Sequence, residues 1–298
     1  MTDQAVLRFH AASQKPAHTT SGIPPEAFFI CSAIFHYLGP AFAVLLFARV
    51  DVLGVAWLRI ASAAAVFGFW KRPWRPFAEL GTGQKRTVVA LGFVLALMNV
   101  CFYVAINRLP LGTVGAIEFL GPIALAALGV RTIRNLVALL LACTGVFLLT
   151  TVRIAGEPLG YIFAFANCAL FVLYILLGHR IAEAGGRRGV ERLAMAMVVA
   201  SIVATPIGLK SALGALVAPK LLLAGAGVGV CSSVIPYICD QFAMARLSKA
   251  TFALMLSLLP ATACLIGLLV LRQVPSVLEM IGVGAVIAGV ALKRSMDD

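Results

Sequence analysis

Charge is what this sequence has little of. Asp, Glu, Lys and Arg make up 12% of its 298 residues and hydrophobic residues 61%, where a soluble domain is about a quarter charged and about half apolar. Mean hydropathy is +1.01. Such a composition excludes a disordered chain and almost any soluble enzyme. The seven cysteines (Cys31, Cys101, Cys143, Cys168, Cys231, Cys239, Cys264) lie in apolar stretches and form no C-x-x-C. That excludes a secreted disulfide scaffold and reads as small core residues, with no metal and no cofactor expected. Direct ATP drive is excluded by the lack of G-x-x-x-x-G-K-[ST]. No H-E-x-x-H occurs, and His10, His18, His36 and His179 are scattered, so a metalloprotease is not expected. The polar first 25 residues lack an apolar core before a small-residue cleavage site. No removable signal is expected, and residues 1–25 read as a flexible cytoplasmic tail.

What is present is a series of long apolar runs. Ten of them, at 26–48, 51–70, 87–107, 111–130, 134–152, 158–179, 191–209, 221–245, 249–271 and 276–293, are each near the length of about 20 residues that a helix needs to cross a bilayer. They are continuously apolar rather than alternating, so helices are expected and a closed barrel is not. The basic residues explain the net charge of +12. With the N-terminus inside, 17 Lys and Arg fall in cytoplasmic segments and six outside, and Arg59 lies within the second span. That bias predicts both termini in the cytoplasm and makes a nucleic-acid partner unnecessary.

The chain also repeats itself. A shift of 138 residues superposes Ala105 on Ala243, Arg108 on Arg246, Leu109 on Leu247, Thr113 on Thr251, Pro122 on Pro260 and Gly129 on Gly267, without a gap. Five spans per copy is an odd number, so the second copy enters the membrane upside down. The expected fold is all-α, ten transmembrane helices in two inverted five-helix repeats, 26–152 and 153–294, followed by a short tail at 295–298. Inverted repeats of this kind characterise secondary transporters with a midplane site between the copies.

Asn99 to Pro122 reads N-x-x-F-Y-x-A-I-x-x-L-P-L-G-T-x-x-A-x-E-F-x-G-P, Tyr174 to Arg180 reads Y-I-L-x-G-x-R, and Pro236 to Leu247 reads P-Y-x-x-D-x-x-A-M-x-R-L. With Trp57-Leu58-Arg59-Ile60, these segments resemble the threonine/homoserine exporter branch of the drug/metabolite transporter superfamily, EamA type. The resemblance runs from about residue 26 to 294 and implies ten helices, a central cavity and export of amino acids or related metabolites from a bacterial inner membrane. Two acids common in that family are absent: Leu259 stands where a Glu often precedes Pro260, and Leu271-Arg272-Gln273 replaces L-G-E.

Ionisable residues deep in a span are functional candidates by default, because a charge at the bilayer centre costs at least about 2.5–3.5 kcal/mol. Glu118 is suited to a substrate ammonium or a proton, or to a neutral interhelical hydrogen bond. His36 has the titration range of a proton switch, with a hydrogen-bonded core role as its alternative. Arg59 and Asp240 are read chiefly as structural ion pairs, Arg59 with Glu118 and Asp240 with Arg246 or Lys249, although Arg59 also suits a substrate carboxylate. Helical spacing puts Asn99 with Tyr103, Asn167 with Phe171 and Tyr174, and Ser233 with Tyr237 on shared faces. Together with Tyr37 and Phe119 these complete the expected substrate-binding set. Pro40, Pro122, Pro236 and Pro260 are expected to bend helices. Gly225 and Gly229, and Gly282, Gly284 and Gly289, read as close helix contacts. A monomer is expected, with a dimer through the tenth span as the alternative.

The leading expectation is an exporter of amino acids by alternating access, of threonine/homoserine type or broader. A carrier of drugs or other metabolites on the same scaffold is the second reading. An intramembrane lipid-modifying enzyme is the third, and it has only Glu118 with His36 as a conceivable catalytic pair.

Overall fold

The computed structural model describes residues 24–128, 133–151, 157–247, 252, 256 and 258–294. The two expected tails, Lys249, and most of the start of the ninth span lie outside them. The described residues contain no strand. The helices are α1 (Pro25–Leu46), α2 (Val52–Lys71), α3 (Trp74–Glu79), α4 (Thr82–Ile106), α5 (Leu111–Leu128), α6 (Ile133–Thr151), α7 (Pro158–Ala182), α8 (Gly186–Leu216), α9 (Pro219–Met244), α10 (Leu258–Leu271) and α11 (Val277–Arg294).

Six of these, α1, α2, α4, α7, α8 and α9, are long and apolar enough to cross a membrane. Shorter apolar stretches of 10–17 residues lie in α5, α6, α10 and α11, where the remaining spans were expected. The extra element is α3, a short helix between two spans. Trp70 and Trp74 are exposed beside it, and the Lys71 ammonium sits 3.8 Å over the Trp70 ring. Tryptophan and lysine together suit a membrane–water boundary.

Local chemistry sets the helix ends. Pro25, Pro158 and Pro219 open α1, α7 and α9 at the first helical position, where a missing N–H costs nothing. Asp51 caps α2 by accepting from the Leu53 amide at 3.0 Å. Ser276 and Glu279 form a reciprocal capping box at the start of α11. The prolines do not all act as expected. Pro40 and Pro122 lie inside α1 and α5, as does Pro206 in α8, which was not anticipated. Pro236 follows a π-helical turn at Val230–Val234 that breaks the regular ladder of α9. Pro260 sits in the first turn of α10, a position that starts a helix rather than bending one.

Burial is inverted relative to a soluble protein. Glu118 is 2% exposed and Arg59 3%, whereas Phe69 is 89% exposed and Ile162 63%. Charge inside and hydrocarbon outside is the stable arrangement only where the surroundings are lipid. Of the cysteines, only Cys239 is fully buried and Cys143 is exposed; all seven are free thiols. The other five are half-buried, Cys168 packing against Gly121 and Cys264 against Gly112.

The main helix pairs are α2 with α8, α6 with α11, α5 with α10, α4 with α7 and α8, α1 with α9 and α10, α5 with α7, and α2 with α9. Small residues let backbones approach. A Cβ on Gly54 would lie 2.6 Å from the Ser211 carbonyl oxygen, and one on Gly208 would collide with the Leu53 carbonyl, so α2 and α8 leave no room for each other's side chains there. Gly229 is pressed against Ser62 of α2 and Gly145 of α6 against the Gly282 carbonyl of α11. The ends of α4 and α9 are superposable. Arg108 and Arg246 each donate their amide three residues back at 3.0 Å, and Leu109 and Leu247 each donate four back at 2.8 Å.

Candidate functional site

The buried polar side chains converge where α1, α2, α4, α5, α7 and α9 meet. Glu118 of α5 is the best-connected acid. Its Oε2 accepts from the Tyr37 hydroxyl at 3.0 Å and lies 3.6 Å from His36 Nε2, and its Oε1 accepts from Asn167 Nδ2 at 2.9 Å. The spacing that makes this possible is simple: His36 and Tyr37 are adjacent on α1, and Asn167 comes from α7. Glu118 is thus clasped from both proposed halves of the chain.

Arg59 of α2 faces the same hollow but does not pair with Glu118, contrary to the ion pair expected from sequence. Its Nε donates to Ser233 Oγ at 2.8 Å and its Nη2 to the Ser232 carbonyl at 2.6 Å. The guanidinium also lies 5.3 Å from the Tyr103 ring centroid. Pro236, four residues on, has no N–H to give the Ser232 carbonyl, so that oxygen at the π-turn of α9 is left for Arg59.

Asp240 likewise forms no ion pair with Arg246. Its two oxygens accept from the Ser32 hydroxyl at 2.5 Å and from the Tyr174 hydroxyl at 2.8 Å. Arg246 instead lies over the Phe28 ring at 5.6 Å. Asp240 points inward along α9, while Arg246 lies beyond the end of that helix.

A narrow hollow of about 10 Å3, roughly the room of a single water, is bordered by His36, Arg59, Met98, Asn99, Phe102, Glu118, Asn167 and Tyr237. Of the residues expected from sequence, five border it: His36, Asn99, Glu118, Asn167 and Tyr237. Tyr37, Tyr103, Phe171, Tyr174 and Ser233 form the shell behind. Asn99 donates to the Leu95 carbonyl at 2.7 Å and toward the Tyr237 hydroxyl at 3.4 Å. Phe171 bridges His36 and Tyr174, and Tyr174 meets Tyr237 with centroids 5.5 Å apart. Phe119 is buried in the core and, like Tyr37, does not border the hollow.

Sequence reasoning passed over Met98, Phe102, Ser32 and Ser232. Helical spacing held part of the signal, since Ser32 is one turn before His36 and Phe102 lies on the Asn99 side of α4. Two polar groups in the shell have no hydrogen-bond partner, the Asn167 Oδ1 and the Tyr103 hydroxyl. Unpaired buried polar groups beside a charged hollow are groups that a polar solute can satisfy.

The two positions that depart from the exporter pattern have structural roles here. Leu259 is buried among apolar neighbours. Gln273 Oε1 accepts from the Leu111 amide at 3.2 Å, and its own amide donates to the Gly267 carbonyl at 3.0 Å. It ties the α4–α5 corner to the end of α10 without a charge.

Fold and site together define a multi-pass membrane protein built around a small buried hollow that carries both signs of charge. Residues 158–294 match the model of the EamA-like transporter family. Over 257 residues the chain is 30% identical to the threonine/homoserine exporter RhtA of Escherichia coli strain K12, with 84% of each chain covered. It is 30% identical over 256 residues to the protein of the same name from Salmonella typhimurium strain LT2, again with 84% of each covered. A solved crystal structure superposes with a TM-score of 0.63 at 18% identity, covering 92% of this chain and 99% of the other, a likeness of fold. The chain belongs to the EamA-like transporter family, and it is a transporter-type membrane protein of the drug/metabolite transporter superfamily.

Proposed function

We propose that this protein exports amino acids across a bacterial inner membrane by alternating access around the Glu118–Arg59 hollow. The observation that carries the proposal is that a buried carboxylate and a buried guanidinium border one hollow without neutralising each other. A zwitterion matches that arrangement in charge, its ammonium toward Glu118 and its carboxylate toward the Arg59 guanidinium once the hollow widens. Phe102, Tyr237 and Met98 supply an apolar wall for its side chain. The relatives named threonine/homoserine exporters support amino acids as the class. The absent acids at Leu259 and Gln273 and the aromatic shell support broader selectivity, aromatic amino acids included. The His36–Glu118 approach is also the pair that a lipid-modifying enzyme would need, and membership of a transporter family favours carriage over catalysis.

The proposed architecture is two inverted repeats, 26–152 and 153–294, with both termini in the cytoplasm. The helix pairs support it. Exchanging α1 with α7, α2 with α8, α4 with α9, α5 with α10 and α6 with α11 turns α1·α9 into α7·α4, α2·α9 into α8·α4 and α1·α10 into α7·α5, all of them observed contacts. The matched ends of α4 and α9 add to this support. The hollow is closed down to about the room of one water, an occluded state that widens to admit an amino acid as the helices part.

Counterflow in proteoliposomes across a panel of labelled amino acids, with and without a pH gradient, tests the reading. Exchange of at least one amino acid, unchanged chemically, is the expected result. Chemical conversion of the solute, or exchange of none of the panel, would overturn it.

A further inference from the structure

Asp240 borders neither the hollow nor a cation, yet it is 5% exposed and fully engaged. Its hydroxyl donors come from two other helices, Ser32 on α1 and Tyr174 on α7. Ser32 lies early in α1 and Asp240 late in α9, so the knot sits toward the membrane face that carries the N-terminus. Beyond it, on the same side, Phe28 stacks on Phe242 at 5.3 Å and Phe29 meets Phe252 edge-on at 5.5 Å. The opposite side is arranged differently. A cavity of about 340 Å3, lined among others by Arg108, Gly112, Thr113, Cys264 and Gln273, reaches down α5 to Thr113. Thr113 is five residues before Glu118, about 7.5 Å along a helix.

We infer that Asp240 is a positioning residue of the transport cycle: with Ser32 and Tyr174 it latches the N-terminal side of the bundle shut while the other side is open. The inference rests on the transport reading above. The α1–α9 contact crosses between the two proposed repeats, so the Ser32–Asp240 bond must break for that side to open. Two neutral-donor contacts to one carboxylate suit a latch: they are directional and are readily exchanged for water once the helices part. The next residue shows that the closed state is not fully relaxed. Gln241 is completely buried, and neither its amide nitrogen nor its amide oxygen has a hydrogen-bond partner. Opening to water on this side would satisfy both, which brings the closed and open states closer in free energy.

The test uses the full-length chain with its seven cysteines replaced and Met98→Cys as a reporter bordering the hollow. A membrane-impermeant methanethiosulfonate is applied separately at each membrane face. Tyr174→Phe and Asp240→Ala should each raise the labelling rate from the N-terminal face by at least about fivefold and leave or lower it from the other face. Unchanged labelling, or an equal rise from both faces, would overturn the latch. Ser32→Ala, which removes one oxygen, gives the same reading should Asp240→Ala fail to fold. No substrate is needed, so the two ideas fail separately. Sided labelling without amino-acid counterflow would sink the substrate reading alone, and counterflow with indifferent labelling would sink the latch alone.

Discussion

Arg59 is held by oxygens that carry no full charge, a serine hydroxyl and a backbone carbonyl. That leaves its positive charge available to a ligand, where an ion pair with Glu118 would have consumed both. The planar fork matters here, because Nε and Nη2 must reach two fixed acceptors at once. Arg59→Lys keeps the charge and loses the fork. Hydrogen bonds to charged groups are worth about 1.5–3 kcal/mol, so the half-saturating amino-acid concentration in counterflow should rise roughly 10- to 100-fold. An unchanged value would remove Arg59 from the site. Glu118 makes a different prediction. Glu118→Gln keeps hydrogen-bonding capacity and removes the titratable group. Accumulation driven by a pH gradient should vanish, while counterflow persists with weakened affinity. If the variant still accumulates substrate, Glu118 does not carry the coupling proton.

At the level of helices, contact is set by what is missing from side chains. Gly54 and Gly208 face each other's helices so closely that no Cβ fits at either position. Gly208→Leu forces α2 from α8 and should cost about 1–3 kcal/mol of overpacking, seen as a lower thermal midpoint in detergent. Gly284 provides the control, since a Cβ there meets nothing within 4 Å, and Gly284→Ala should melt with the parent. The π-turn in α9 belongs to this scale as well. Nothing in V-C-S-S-V announces a widened turn, but Pro236 just beyond it leaves the Ser232 carbonyl without a helical donor, and that oxygen goes to Arg59. The hydrogen-bond ladder of a helix is fixed by its neighbours as much as by its own residues, which is why sequence spacing placed Ser233 near the site and missed Ser232.

For the whole molecule, the proposed topology makes a direct prediction. Reporter tags at the two ends should both be accessible from the cytoplasm, by protease protection or by a fluorescent and an alkaline-phosphatase fusion. Opposite accessibility would break the odd-span repeat and the inverted architecture with it.

Much was legible beforehand, and the division has a physical basis. Lipid imposes a long apolar run on each crossing, so the six long apolar helices could be read one segment at a time. The exposure of Phe69 and the burial of Glu118, an ionisable residue deep in a span, follow from that same solvent rule. Helical spacing placed Asn99, Asn167 and Tyr237 on usable faces, because it is a property of one helix. Pairing between helices is not. Arg59 turned to Ser232 and Ser233 rather than Glu118, and Asp240 to Ser32 and Tyr174 rather than Arg246. Those choices depend on how deep each side chain sits and on the angle at which helices cross, which the packing of small residues such as Gly39, Gly54 and Gly208 sets. The chain's order of residues decided that charges would be buried in a membrane bundle; the crossing of distant helices decided which charges would remain unpaired and face the hollow.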